Sequence, residues 1–121
     1  MPSDGAPAGL RDIAYHIALA THFVTGHDLG TFQADLRTVY AVTRCLEIIS
    51  EASRRIPEEI KARHPTIAWR DMAAAGNIYR HEYEDVASKL VWDTVHVALP
   101  RLAEVIASEL AAYDSEGPEI G

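Results

Sequence analysis

Apolar residues recur at steps of three and four along almost the whole chain, and that spacing leaves few folds open. Leu10, Ile13, Ile17, Ala20 and Val24 form one such stripe, the pattern of a helix with a single buried face. Gly26 stands where that helix should stop, and residues 26–30 read as a loop. Thr31 is a candidate cap for the next helix, with Gln33 and Asp35 in its first turn. Phe32, Leu36, Val39, Val42, Leu46, Ile49 and Ile56 then carry one stripe to Pro57, a rod ~35 Å long.

Pro57 and Pro65 bracket a short charged turn. A shorter helix follows from 65–68, through Trp69, Met72 and Ala73, to 79–81. The last helix begins near 85–87 and reaches about Ala112, with Val86, Leu90, Val91, Val95, Leu99, Leu102, Val105 and Ile106 as its stripe. Pro100 sits inside it, where the ring removes one backbone hydrogen bond and crowds the carbonyl of His96, so the sequence predicts a kink. No alternating strand pattern, hairpin dipeptide or internal repeat is present. The fold class is therefore all-α: an antiparallel up-down bundle of four to five helices over 9–112. Residues 1–8 and the acidic stretch 113–121 read as disordered tails.

Composition sets the outer bounds. With 121 residues, 48% hydrophobic and 24% charged, the chain is one domain's worth and can bury a core without staples. The formal charge of −7 repels nucleic-acid phosphates, which argues against DNA as a partner and confines any RNA contact to a local group of arginines. No apolar run approaches the ~20 residues of a membrane span, and the first residues lack the pattern of a signal peptide. Lone Cys45 excludes an internal disulfide and favours a reducing compartment, so the expected location is cytoplasmic. The apolar stripes are wide, with Tyr40, Ile48, Tyr79 and Trp92 beside them. A second buried surface, of the kind a two-fold homodimer makes, would account for that width.

Chemistry is sparse. His16, His22 and His27 are six and five apart, which puts them on different helix faces and predicts no metal site. No phosphate loop, serine elbow or catalytic-cysteine context occurs, so no cofactor is implied. One segment, Gly76-Asn77-Ile78-Tyr79-Arg80-His81-Glu82-Tyr83, gathers two Tyr, an Arg, a His and an Asn at a helix end. Asn77 and His81 are four apart and share a face. Gly76 inside a helix costs ~1 kcal/mol against Ala, which suggests close approach of another backbone or a ligand. A capped helix end, with His81 on the last carbonyls and the Tyr rings in the core, explains the same composition.

From about Phe32 to Leu110 the chain resembles the HepT-like branch of the HEPN superfamily. The similar pieces run in order: Asp35, Ala41 and Arg44 with 46–52 on the long helix, 64–70 (His-Pro-Thr-Ile-Ala-Trp-Arg), Asn77, His81-Glu82-Tyr83, Val91-Trp92 and Leu99-Pro100-Arg101-Leu102. The resemblance implies an all-helical homodimer acting as a toxin. Its metal-independent ribonuclease motif is Arg-x4-His-x-Tyr, and its partner is a minimal nucleotidyltransferase antitoxin that modifies the Tyr with AMP. Carried over, His81 is the acid/base and Tyr83 is the AMP acceptor, while Asn77, sharing a face with His81, is placed to orient it. Gly76 occupies the Arg position. Arg80 is then the nearest replacement cation, with Arg44 and Arg70 on neighbouring helices as further candidates. A helical module that has lost catalysis and serves as the nucleotidyltransferase's partner and acceptor is the alternative.

The first expectation to test is the dimer. Light scattering at micromolar concentration should give twice the chain mass of 13.3 kDa; a value near the single-chain mass overturns it.

Overall fold

The computed structural model describes residues 5–81 and 83–116, and among them it is helical without strands. The helices are α1 (Gly5–Val24), α2 (Leu29–Ala34), α3 (Leu36–Ser53), α4 (Glu58–Arg63), α5 (Trp69–His81), α6 (Glu84–Asp93) and α7 (Leu99–Glu116). A π-helical turn, Thr94–Ala98, joins the last two.

Both ends of the bundle are longer than the sequence pattern suggests. α1 starts at Gly5, inside the expected tail, since Pro7 fits a first turn whose N–H groups have no helical acceptor. α7 continues to Glu116 because Tyr113 still packs against the core and Arg11 reaches Asp114 at 3.2 Å. The rest of those expected tails, 1–4 and 117–121, lies outside the described residues.

The expected single rod from 32 to 56 is in fact two helices. Asp28 caps α2: its side chain accepts from the Thr31 N–H at 2.8 Å while Thr31 Oγ1 accepts from the Asp28 N–H at 3.0 Å, a reciprocal capping box. Thr31 is thus the third residue of a helix and not its cap. Asp35 ends α2 and caps α3, accepting from the Thr38 N–H and hydroxyl at 3.3 and 2.8 Å. Those Thr38 hydrogen bonds hold the Asp35 carboxyl below its ordinary pKa. Gly26, at φ +87°, supplies the left-handed turn that releases α1. The charged turn between the prolines closes into α4.

α3 is the helix the others are built on, packing against α1, α2, α5 and α6. α1 and α5 run antiparallel to it: Gly9 near the start of α1 meets Ile56, beyond the end of α3, and Ser50 near the end of α3 bonds Ala73 near the start of α5. Phe32, Leu10, Ile13, Val42, Val91, Leu102 and Ile106 are the largest of the wholly enclosed apolar side chains. Phe32 also lies 5.2 Å, ring to ring, from Trp92.

The predicted kink takes the form of the π turn. Pro100 has no N–H to offer His96, and the Leu99 N–H bonds Thr94 five residues back. Two successive four-residue steps, Val91 to Val95 to Leu99, all buried, match the wider π turn better than a plain α-helix.

A polar tie joins the end of α4 to α7. Glu109, buried on α7, accepts from Arg63 Nη2 at 2.7 Å, Arg63 Nε at 3.1 Å and His64 Nε2 at 2.6 Å. The Arg63 hydrogen bonds hold its pKa below the ordinary carboxylate value, burial opposes them, and His64 adds to the lowering. A depressed folded-state pKa means stability that is present at neutral pH and lost as pH falls through that lowered value. Glu109→Gln should therefore cost about 1–2 kcal/mol at neutral pH. In chemical denaturation the gap between the two proteins should shrink in acid; a constant gap refutes the assignment.

Candidate active site

α5 is fixed at two points. Near its start, the Ala73 carbonyl accepts from Ser50 Oγ at 2.9 Å and from Arg54 Nη2 at 2.8 Å, both reaching over from α3. Near its end, buried Tyr79 donates to Thr94 Oγ1 at 3.3 Å, and that hydroxyl donates to the Leu90 carbonyl at 2.8 Å. Burial pushes the Tyr79 hydroxyl up in pKa, so it stays a neutral donor. The last turn of α5 therefore stands on a rod held by both α3 and the π turn, the rigid support a reactive side chain needs.

That last turn is where the sequence places its chemistry. Asn77 is exposed on α5, and His81 is the final helical residue. The side chains of Arg80 and His81, and Glu82 as a whole, lie outside the described residues. Tyr83 begins the next element as the N-cap position of α6, makes no side-chain cap bond, and is 86% exposed. It is therefore not the buried tyrosine of a capped helix end; Tyr79 takes that role. By helical register, positions 73, 77, 80 and 81 fall on one side of α5.

The other arginines are placed differently. Arg44 pairs with Glu47 at 3.4 Å on α3. Arg70 is exposed in the first turn of α5, ~16 Å along the axis from His81.

Gly76 does not mark a close backbone approach. It is buried, but a Cβ built there meets Ser50 Oγ at 3.6 Å and Ser50 Cβ at 3.8 Å, ordinary contacts with a small side chain. The backbone thus accepts a side chain at 76, and none is present. Ser50 and Arg54 were not singled out by the sequence reading. They lie four apart on α3, and only the antiparallel packing of α3 on α5 reveals their target.

Three of the other histidines are bound into the scaffold. His16 and His96 each donate Nδ1–H to the carbonyl four residues earlier at 2.8 Å, and His64 is held by Glu109. Among the described residues no group of three or more His, Cys, Asp or Glu is placed to hold a metal ion. Nor is any described helix long and apolar enough to cross a membrane.

The family model described as "Ribonuclease HepT-like" matches residues 9–109. A relative in Thermococcus cleftensis named "Probable ribonuclease HepT" is 41% identical over 77% of this chain and 84% of its own. Two relatives in Methanocaldococcus jannaschii, each named as a proposed RNase, are 31% and 30% identical. The first match covers 84% of this chain and 88% of the relative, the second 98% and 97%. No solved structure matches. The chain belongs to the HepT-like ribonuclease family.

Because position 76 has room for a Cβ, Gly76→Ala should stabilise the protein by about 0.5–1 kcal/mol through helix propensity. Thermal melts read this directly. A destabilised variant shows that the seam with Ser50 is tighter than its contacts indicate.

Proposed function

We propose that this chain is a toxin ribonuclease that cleaves RNA in the cytoplasm without a metal, as a two-fold homodimer. A minimal nucleotidyltransferase antitoxin neutralises it by attaching AMP to Tyr83. Family membership supports the RNA chemistry, and the observation that carries the regulatory half is Tyr83. Its ring is exposed, without a cap bond, two residues beyond His81.

In this reading His81 takes the proton from a ribose 2′-OH, and the 2′-oxygen attacks the neighbouring phosphorus. The P–O5′ bond breaks, and the 5′-oxygen takes a proton from a second imidazole, that of His81 in the other copy. The products are a 2′,3′-cyclic phosphate and a 5′-hydroxyl. Imidazole suits both steps because its ordinary pKa lies near neutrality. Asn77, four residues before His81, orients it, and Arg80 contributes positive charge toward the transition state. AMP on Tyr83 adds bulk and a negative phosphate beside that charge, which repels RNA.

Support for the dimer comes from apolar side chains left in solvent. Leu36 and Tyr40 on α3 and Val86 and Leu90 on α6 are 46%, 64%, 46% and 37% exposed. α3 and α6 are packed neighbours, and an exposed apolar pair at helical spacing on each suits contact with a second copy.

Gly76 supports a second reading, in which catalysis is lost and the chain is only the partner and acceptor of the nucleotidyltransferase. One set of measurements separates them. Purified protein should cleave RNA in EDTA, His81→Ala should abolish cleavage, and Arg80→Ala should slow it ~10²-fold. After co-expression with the partner, mass spectrometry should find the adduct on wild type and none on Tyr83→Phe. Equal cleavage by wild type and His81→Ala overturns the site. No cleavage with an adduct on Tyr83 establishes the second reading.

A further inference from the structure

We propose that Arg54, delivered from α3, is the phosphate-binding cation that stands in for the side chain missing at Gly76. This rests on the ribonuclease reading and goes beyond it by naming a residue that neither the motif nor its spacing contains.

The argument begins with where an arginine at 76 would lie. Helical side chains tilt toward the helix N-terminus, so a residue covers the turn before its own Cα. A side chain on 76 would lie over residues 72–73, beside Ser50, whose Oγ is 3.6 Å from the constructed Cβ. That is where the Arg54 guanidinium sits, with Nη2 2.8 Å from the Ala73 carbonyl, which Ser50 also reaches at 2.9 Å. The positive charge is present at the seam of α3 and α5 although position 76 carries none.

Arg54 is also free to serve a ligand in a way that Arg63 is not. Arg63 is committed to buried Glu109 through two hydrogen bonds. Arg54 is held by a neutral carbonyl that Ser50 already satisfies, its side chain is 50% exposed, and its carboxylate neighbour is Glu51, at 3.4 Å and 64% exposed. An exposed pair at that distance contributes little, and a phosphate offers the guanidinium a bidentate partner. Ala73 lies ~12 Å along the axis from His81, with exposed Asn77 between them. Arg54 therefore grips a phosphate flanking the cleaved one, and its loss acts on RNA affinity more than on the chemical step.

The test measures binding of a labelled single-stranded RNA oligonucleotide over a range of salt, in a His81→Ala background that prevents cleavage. Arg54→Gln removes the charge and leaves a polar side chain on exposed α3 surface, while Ser50 still bonds the Ala73 carbonyl. It should weaken binding about tenfold and lower the slope of log affinity against log salt by about 0.7, the value of one phosphate contact on a single strand. Adding Gly76→Arg to Arg54→Gln should restore both. Glu51→Gln, which removes the competing carboxylate and leaves Arg54 in place, should tighten binding and keeps the test open if Arg54→Gln fails to fold. An unchanged slope in folded Arg54→Gln, or unchanged affinity in Glu51→Gln, overturns the proposal while RNA binding and cleavage by the parent protein leave the ribonuclease reading standing. If the parent neither binds nor cleaves RNA, the ribonuclease reading itself falls, and this proposal with it.

Discussion

The helix that everything else leans on is α3. It packs against α1, α2, α5 and α6, and Val42, Cys45, Leu46, Ile49 and Ala52 along its length are almost entirely out of water. Burial of this kind is non-directional and fixes distance better than register. The register comes from polar atoms on the same helix. Ser50 and Arg54 converge on one carbonyl of α5, and Ser50 is itself 4% exposed. A slip of α5 by one residue would leave that hydroxyl facing the wrong backbone atom, at the cost of an unsatisfied buried group. The hydrophobic seam makes α5 adhere, and the Ser50 bond sets which residue of α5 lies opposite the end of α3.

Much of this was readable from spacing alone. Leu10, Ile13, Ile17, Ala20 and Val24 are all buried as their three- and four-residue steps imply, as are Val95, Leu99, Leu102 and Ile106. Periodicity failed where a polar residue interrupts a helix without breaking the stripe. Asp35 does this: the apolar pattern runs across it, yet its carboxylate ends one helix and starts another, and Leu36 beside it is left in solvent. The signal was there as two Asp-x-x-Thr pairs, at 28–31 and 35–38, but a continuous stripe outweighs a cap in any reading by period. Val86 and Leu90 also follow the stripe and are exposed, because spacing reports a shared face and not what covers it.

The candidate site was legible to a different degree. His81 and Tyr83 stand out by type and spacing, and Tyr83 is exposed at a helix boundary. Arg54 does not stand out, for a physical reason. The role proposed for it depends on α3 and α5 running antiparallel with Ser50 opposite Ala73, a tertiary register that no local pattern encodes. The Glu109 tie to Arg63 and His64, 46 and 45 residues away in sequence, is invisible for the same reason. Motifs along one helix show at once; a charge donated from the neighbouring helix shows only after folding.

The π turn at Thr94–Ala98 bears on how this part of the chain can vary. A π turn holds one residue more than the α turn it replaces, so it acts as a phase adjuster between Val91 and Leu102. Removing any single residue there would leave composition and helix propensity nearly unchanged, yet would swing the apolar edge of α7 by about 100°. Substitutions in this stretch are a matter of side-chain fit, and Val97, 76% exposed, is open to many. Length is not negotiable in the same way: the number of residues between the two buried edges is itself structural information, carried by no residue in particular.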